Sequence, residues 1–284
     1  MAQKIAQNLG VSLANVEITR FSDGECRVWV KEDVRGLNTF VIQSLSKVAD
    51  ENLVELSLLG WALKNLGAKT VTAIIPWLGY SKQDKEFRKG EAISIQLVAK
   101  FIEAAGFDKV ITCELHSQRI LDFFKIPLVD LSTKKVLGEE LSFNKNMVVV
   151  CPDEGGRNRS EDFAREFNLP ILYIKKKRDL KSGKVKVLKG PKVFGKEVVI
   201  FDDIINTGGT IAQEAKALKK SGAKRIIVLA VHPVFSGKAA SILDNSPVDE
   251  AIVSDTILLP KEKFFPKLKI VSVAPLLAGC IKKE

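Results

Sequence analysis

Short β-branched apolar runs alternate along most of the chain with segments whose apolar residues recur at helical spacing. "NTFVIQSL" (38–45), "KTVTAIIP" (69–76), "DKVITCEL" (108–115), "NMVVVCP" (146–152), "PILYIKK" (170–176), "EVVIFDD" (197–203), "RIIVLAV" (225–231) and "EAIVSD" (250–255) read as strands. "ENLVELSLLGWALKNLG" (51–67) and "TIAQEAKALKKSG" (210–222) read as helices that stop at Gly67 and Gly222. Strand and helix in alternation predict the α/β class, with parallel sheets flanked by helices.

The pattern also repeats. "ALKNLGAKTVTAIIP" (62–76) echoes "ALKKSGAKRIIVLAVHP" (217–233), and "GFDKVITCE" (106–114) echoes "PVDEAIVSD" (247–255). Two matches in the same order point to an internal duplication. Two related domains are therefore expected, residues 1–140 and 141–270, with the tail 271–284 packing back on the first.

Composition narrows the class without choosing a reaction. An apolar content of 46 % in 284 residues suits globular domains with their own cores. No apolar run reaches the length of a membrane span, so no membrane partner is expected. The N-terminal stretch lacks a hydrophobic signal core, which makes the cytoplasm the expected location. Cys26, Cys113, Cys151 and Cys280 form no C-x-x-C pair, so neither a zinc site nor a disulfide framework is expected. The net charge of +10 admits nucleic acid or an anionic small substrate. Much of it lies in "KKKRDLKSGKVKVLKGPK" (175–192), where no aromatic platform interrupts the cations. That absence weighs against nucleic acid.

The chemistry concentrates in "VVIFDDIINTGGTIAQEAKAL" (198–218). In parallel sheets, ligands gather beyond the carboxyl ends of the strands. Asp202 and Asp203 are expected to close a strand there. Asn206, Thr207, Gly208, Gly209 and Thr210 would then form the turn and the first turn of a helix. Free N–H groups and the helix dipole favour an anion at that point, and the glycines let backbone approach it. The acids suit sugar hydroxyls or a metal, since a phosphate would repel them. "GPKVFGKE" (190–197) fits the G-x-x-x-x-G-K spacing of a nucleotide loop. Glu197 stands where Ser or Thr is needed and a strand follows, so that reading fails.

Two acids, two spacers and N-T-G-G-T resemble the ribose-phosphate signature of the type I phosphoribosyltransferase fold. "RFSDGECRVWV" (20–30), "YSKQDKEFRKGEAIS" (80–94), "CELHSQRILDFF" (113–124) and "CPDEGGRNRSEDFA" (151–164) precede it in order. Together the five stretches resemble the ribose-phosphate pyrophosphokinase family along nearly the whole chain. The resemblance implies two phosphoribosyltransferase-like domains and transfer of the β,γ-diphosphoryl group of Mg-ATP to the C1 hydroxyl of ribose 5-phosphate. It implies that Phe21, Asp23, Gly24 and Glu25 contact ATP from a neighbouring subunit, hence a homo-oligomer, and that Lys82 and Gln83 also bind ATP. It implies Mg²⁺ contacts at His116 and Asp153. Asp202, Asp203, Asn206, Thr207, Gly208, Gly209 and Thr210 would bind ribose 5-phosphate.

The basic run reads as a β-hairpin with its turn at Ser182-Gly183. Residues two apart on a strand share a face, so Lys176 and Arg178 point the same way. They match the family's Lys-x-Arg pair, which implies that both are catalytic and that Arg178 also meets ribose 5-phosphate. Three positions depart from the family pattern: Lys82 for a frequent Arg, Glu114 for a frequent Asp, and Asn206 for the usual Asp. Asn206 can donate a hydrogen bond but cannot act as a base. A non-catalytic regulatory homologue and a phosphoribosyltransferase are the alternative readings.

Overall fold

Each apolar run singled out above falls in strand, with one of them divided between two strands. The computed structural model describes residues 1–152, 154–178, 185–189 and 191–284, without the side chains of 175–178 and 185–189. The chain divides into two units, Met1–Ser132 with Ala274–Glu284, and Thr133–Val273.

The first unit begins with α1 (Ala2–Leu9) and an antiparallel hairpin of β1 (Val16–Arg20) and β2 (Cys26–Val30). Next come β3 (Asn38–Ile42), α2 (Ala49–Asn65), β4 (Thr70–Ile75), α3 (Ser94–Ala104), β5 (Lys109–Cys113) and β6 (Leu128–Leu131). These strands form a parallel sheet in the order β3-β4-β5-β6. Residues 71–75 of β4 are buried throughout, as expected of a strand covered on both faces.

In the second unit, α4 (Lys134–Gly138) precedes β7 (Met147–Cys151), α5 (Arg157–Glu166) and β8 (Ile171–Tyr173). Then come β9 (Lys175–Arg178), β10 (Val185–Lys189), β11 (Glu197–Ile205), α6 (Gly209–Lys220), β12 (Arg225–Pro233), α7 (Ala239–Asp244), β13 (Glu250–Ser254) and β14 (Leu268–Val271). The chain returns to the first unit as α8 (Ala274–Ile281), which packs against α1. "PILYIKK", expected as one strand, is two. Buried Ile174 separates β8, which pairs with β7, from β9, which pairs antiparallel with β10.

The second sheet runs β14-β13-β12-β11-β7-β8, all parallel. Alternate residues of its strands feed opposite faces. Val198, Ile200, Ile226 and Val228 pack with Ile211, Ala215 and Leu218 of α6. Val199, Phe201, Ile227 and Leu229 pack with Phe163 and Ala164 of α5. The two helices thus cover different faces. The β11-α6-β12 connection leads one way across the sheet and β7-α5-β8 the other. The strand order therefore reverses between β7 and β11, where α/β sheets leave a crevice for ligands.

The duplication reaches individual side chains. Asp108 accepts from the Val71 N–H at 2.7 Å and pairs with Lys64 at 2.7 Å. Asp249 accepts from the Ile226 N–H at 2.8 Å and pairs with Lys219 at 3.8 Å. Gly67 and Gly222 both follow their helices in the left-handed region, at φ 82° and 88°, as glycine stops do.

Candidate active site

β11 keeps register with β7 only as far as Val199 opposite Val149, but continues beside β12 to Ile205 opposite Pro233. The acids expected to close this strand instead lie within it, and Ile204 and Ile205 extend it past them. Opposite this unpaired edge, α5 supplies a cation. Phe163 stacks on Phe201 with ring centroids 4.6 Å apart, fixing the helix against the strand. One turn earlier, Arg159 Nη1 reaches Asp202 Oδ1 and Asp203 Oδ1, each at 3.1 Å. Asp202 Oδ1 also accepts from the Asp203 N–H at 2.9 Å.

Asp203 is buried and Asp202 part-buried. Burial holds the Asp202 carboxyl well above the ordinary carboxylate range. The Asp203 charge adds to this, and Arg159 opposes it. Arg159 and the two acids thus form one cluster of opposite charges beside the carboxyl end of the sheet.

Past Ile205 the chain turns into the expected anion cradle. Gly208 adopts φ 73°, and α6 starts at Gly209 with no side chain capping its N-terminus. A Cβ on Gly208 would lie 3.2 Å from Leu243 Cγ and 3.3 Å from the Ala239 carbonyl, so α7 closes in behind the loop. Gly209 faces open space apart from Thr207 Oγ1 at 3.8 Å. The Thr207 and Thr210 hydroxyls make no hydrogen bond among the described residues. Asn206, by contrast, is held: Ser236 Oγ donates to its Oδ1 at 2.6 Å, and the Ser236 N–H donates to its carbonyl at 2.9 Å. Asn206 through Thr210 are thus gathered with Asp202 and Asp203 at one end of one sheet.

Of the remaining predicted residues, Phe21, Asp23, Gly24, Glu25, Lys82, Gln83 and His116 belong to the first unit. Phe21, Asp23, Gly24 and Glu25 form the tip of the β1–β2 hairpin. There the Phe21 N–H donates to the Glu25 carbonyl at 2.9 Å, and Asp23 Oδ1 accepts from the Glu25 N–H at 3.1 Å. Gly24 takes φ 92°, and Phe21 is 53 % exposed. Arg20 braces the tip, donating to the Gly24 carbonyl and pairing with Glu51 and Glu55 of α2. Lys82 and Gln83 sit in the loop between β4 and α3. Gln83 Oε1 accepts from Ser94 Oγ at 2.6 Å, and the Tyr80 hydroxyl ties the loop to Asp50 at the start of α2.

His116 does not end its strand. β5 stops at Cys113, Glu114 turns left-handed at φ 44°, and His116 follows exposed in the loop. Asp153 and the Ser182-Gly183 turn lie outside the described residues. β9 and β10 pair as expected, with Lys176 opposite Val187 and Arg178 opposite Val185.

Sequence reasoning missed Arg159 and Ser236. Both stand in ordinary helical or loop contexts and reach their partners across 43 and 30 residues, so no local pattern announces them. Among the described residues no group of three or more His, Cys, Asp and Glu forms a metal cage.

Comparison with known proteins covers almost the whole chain. Residues 1–106 match a family model described as the N-terminal domain of ribose phosphate pyrophosphokinase, and residues 132–252 match a phosphoribosyl transferase domain. A ribose-phosphate pyrophosphokinase of Listeria ivanovii is 38 % identical over 285 residues, covering 99 % of this chain and 89 % of that protein. One of Bacillus subtilis is 39 % identical over 285 residues with the same coverage. The crystal structure of a phosphoribosylpyrophosphate synthetase from Mycobacterium smegmatis superposes with a TM-score of 0.91 at 36 % identity. It covers 99 % of this chain and 93 % of that one.

Proposed function

The chain belongs to the ribose-phosphate pyrophosphokinase family, and from that premise we propose how its residues carry the reaction. It is a ribose-phosphate diphosphokinase. The C1 hydroxyl of ribose 5-phosphate attacks the β-phosphorus of ATP. The bond from that phosphorus to the α,β-bridging oxygen breaks, the hydroxyl proton is lost, and AMP leaves. The full-length likeness to enzymes of this name favours catalysis over a regulatory homologue or a base-using phosphoribosyltransferase.

The 5-phosphate sits at the N-terminus of α6, which no side chain caps among the described residues, and takes donors from its backbone N–H groups and from the Thr207 and Thr210 hydroxyls. A helix N-terminus with free donors attracts a phosphate. Asp202 and Asp203 take the sugar hydroxyls, which donate to carboxylate oxygens that Arg159 holds in place. Lys176 and Arg178 stabilise charge developing on the transferred group, since phosphoryl-type transfer is largely positioning and electrostatics. Lys82 and Gln83 bind ATP, as do Phe21, Asp23, Gly24 and Glu25 from a neighbouring subunit of a homo-oligomer. The exposed Phe21 ring at a braced hairpin tip supports that placement. His116 and Asp153 are each proposed to contact Mg²⁺. The ion would neutralise phosphate oxygens of ATP.

The cytoplasm is the proposed location. Among the described residues no helix is long and apolar enough to cross a membrane.

The observation that carries the site is the free N-terminus of α6 beside a held acid pair at the reversal of strand order. Calorimetry with ribose 5-phosphate, alongside chromatographic detection of AMP from ATP and Mg²⁺, tests it. The expected result is sugar-phosphate binding that is lost when Thr207 and Thr210 become Val, with AMP formed only when ribose 5-phosphate is present. Undiminished binding in that variant would move the phosphate elsewhere.

A further inference from the structure

We propose that Ser236 is a positioning residue that fixes the Asn206 side chain as a hydrogen-bond donor toward the substrate. The inference rests on ribose 5-phosphate binding at residues 206–210 and assigns position 206 a role suited to its amide. The Ser236–Asn206 contact is 2.6 Å long. In it Ser236 Oγ is the donor and Asn206 Oδ1 the acceptor. The oxygen of the amide therefore faces Ser236, and Nδ2 faces away from it. Nδ2 makes no hydrogen bond among the described residues, and neither do the neighbouring Thr207 and Thr210 hydroxyls.

The backbone makes this orientation durable. The Phe235 N–H donates to the Ile205 carbonyl at 3.0 Å and the Ser236 N–H to the Asn206 carbonyl at 2.9 Å. Those bonds hold the segment after β12 alongside the start of the cradle. The Ser236 hydroxyl is thus presented to Asn206 whatever the side chain does. With Oδ1 turned to Ser236, the side chain offers the N–H groups of Nδ2 on its other side, matching a sugar-phosphate oxygen. A flipped amide would instead turn an oxygen lone pair toward an anion. A carboxylate at 206 could bond to Ser236 equally well, but would offer the ligand an acceptor and a charge. In this chain, position 206 therefore recognises substrate and takes no proton from it.

The orientation argument predicts non-additivity, which contacts that merely hold the loop would not produce. Ser236→Ala leaves both backbone bonds in place and frees the amide to flip. KM for ribose 5-phosphate should rise about tenfold, the scale of a lost hydrogen bond to a charged group, while KM for ATP stays put and kcat changes far less. Asn206→Asp should also raise KM for ribose 5-phosphate. In that background, Ser236→Ala should add almost nothing, because a carboxylate has no donor to misdirect. Ser236→Thr, which keeps the hydroxyl, should restore most of the loss. Calorimetric titration of each protein with ribose 5-phosphate reads the same cycle without turnover. Equal effects of Ser236→Ala in the wild-type and Asn206→Asp backgrounds, or an unchanged KM, would overturn the proposal and leave the substrate assignment intact. Failure of the wild-type protein to bind ribose 5-phosphate would overturn both.

Discussion

Arg159 Nη1 lies 3.1 Å from Asp203 Oδ1, and the same nitrogen reaches Asp202 Oδ1, so one guanidinium holds two neighbouring acids of β11. Arg159 and Asp203 are largely withdrawn from water, and Asp202 is part-buried. Removing one member of such a cluster leaves uncompensated charge, which typically costs about 3–5 kcal/mol. Arg159→Ala should therefore melt well below the wild type at pH 8. The deficit should shrink toward pH 5, because protonating Asp202, already held above the usual range, removes part of the stranded charge. Thermal unfolding followed at both pH values checks this. A deficit that does not change with pH would make Arg159 a packing residue only.

Asp202 gives the complementary case. Its folded-state carboxyl is raised, chiefly by burial, above the value near 3.9 of an unfolded aspartate. Below about pH 3.9 both states hold the proton and the group is neutral in the balance. As pH rises through the elevated folded value, the native protein must ionise a disfavoured group and loses stability. Asp202→Asn should then be more stable than the wild type at neutral pH, with the gain disappearing in acid. Turnover should fall, since a carboxylate that accepts from sugar hydroxyls has become an amide. Such an exchange of stability for activity is common where function needs a strained site. A variant less stable than the wild type at pH 7 would contradict the charge argument.

The parts of this fold governed by short-range pattern were legible in the sequence. Val and Ile runs marked β3, β4 and β5 of the first parallel sheet and β7, β8, β11, β12 and β13 of the second, and Gly67 and Gly222 marked where α2 and α6 stop. The repeat of Lys64, Gly67 and Asp108 in Lys219, Gly222 and Asp249 made the duplication visible before any contact was known. Local pattern failed where long-range pairing decides. β11 outlasts Asp203 because β12 continues beside it; Ile204 and Ile205 suit a strand, but two acids before them and a glycine turn after them mask the signal. The β1–β2 hairpin, β6 and β14 lack a signal strong enough to stand out from their flanks. Within the site, the glycines and threonines of the cradle could be read from backbone chemistry. Arg159 and Ser236 could not, because their roles exist only after α5 and the β12–α7 segment have packed.

Two adjacent glycines separate backbone strain from ligand clearance. Gly208 sits at φ 73° with Leu243 and Ala239 close behind its Cα, whereas Gly209 begins the helix in open space. Gly208→Ala must adopt a left-handed conformation, which costs an L-residue roughly 1–2 kcal/mol, and must push against α7. It should lower Tm and weaken ribose 5-phosphate binding together. Gly209→Ala should leave Tm unchanged or slightly raised, since alanine suits a helix better. Its methyl group would still stand where a phosphate must approach the N–H groups, so binding should weaken by itself. Differential scanning calorimetry with and without ribose 5-phosphate distinguishes these outcomes. If Gly209→Ala binds as tightly as the wild type, the anion does not rest on the backbone at this point.

The basic strand supplies the sharpest kinetic prediction. β9 and β10 pair with Lys176 opposite Val187 and Arg178 opposite Val185, so these two cations belong to one alternate set of the strand and Lys177 to the other. If charge placed on the transferring diphosphoryl group is what matters, the alternate sets should behave differently. Lys176→Ala and Arg178→Ala should each lower kcat about 10²- to 10³-fold, the scale of losing one preorganised electrostatic donor. KM for ATP should barely move, because such a contact is made chiefly in the transition state. Lys177→Ala removes the same formal charge from the same segment and should retain most of the activity. Steady-state kinetics at two salt concentrations completes the test, since general attraction for anions weakens with screening while a close catalytic contact is less affected. Equal, salt-sensitive losses in all three variants would reduce the strand to a collector of anionic substrate and take Lys176 out of the chemical step.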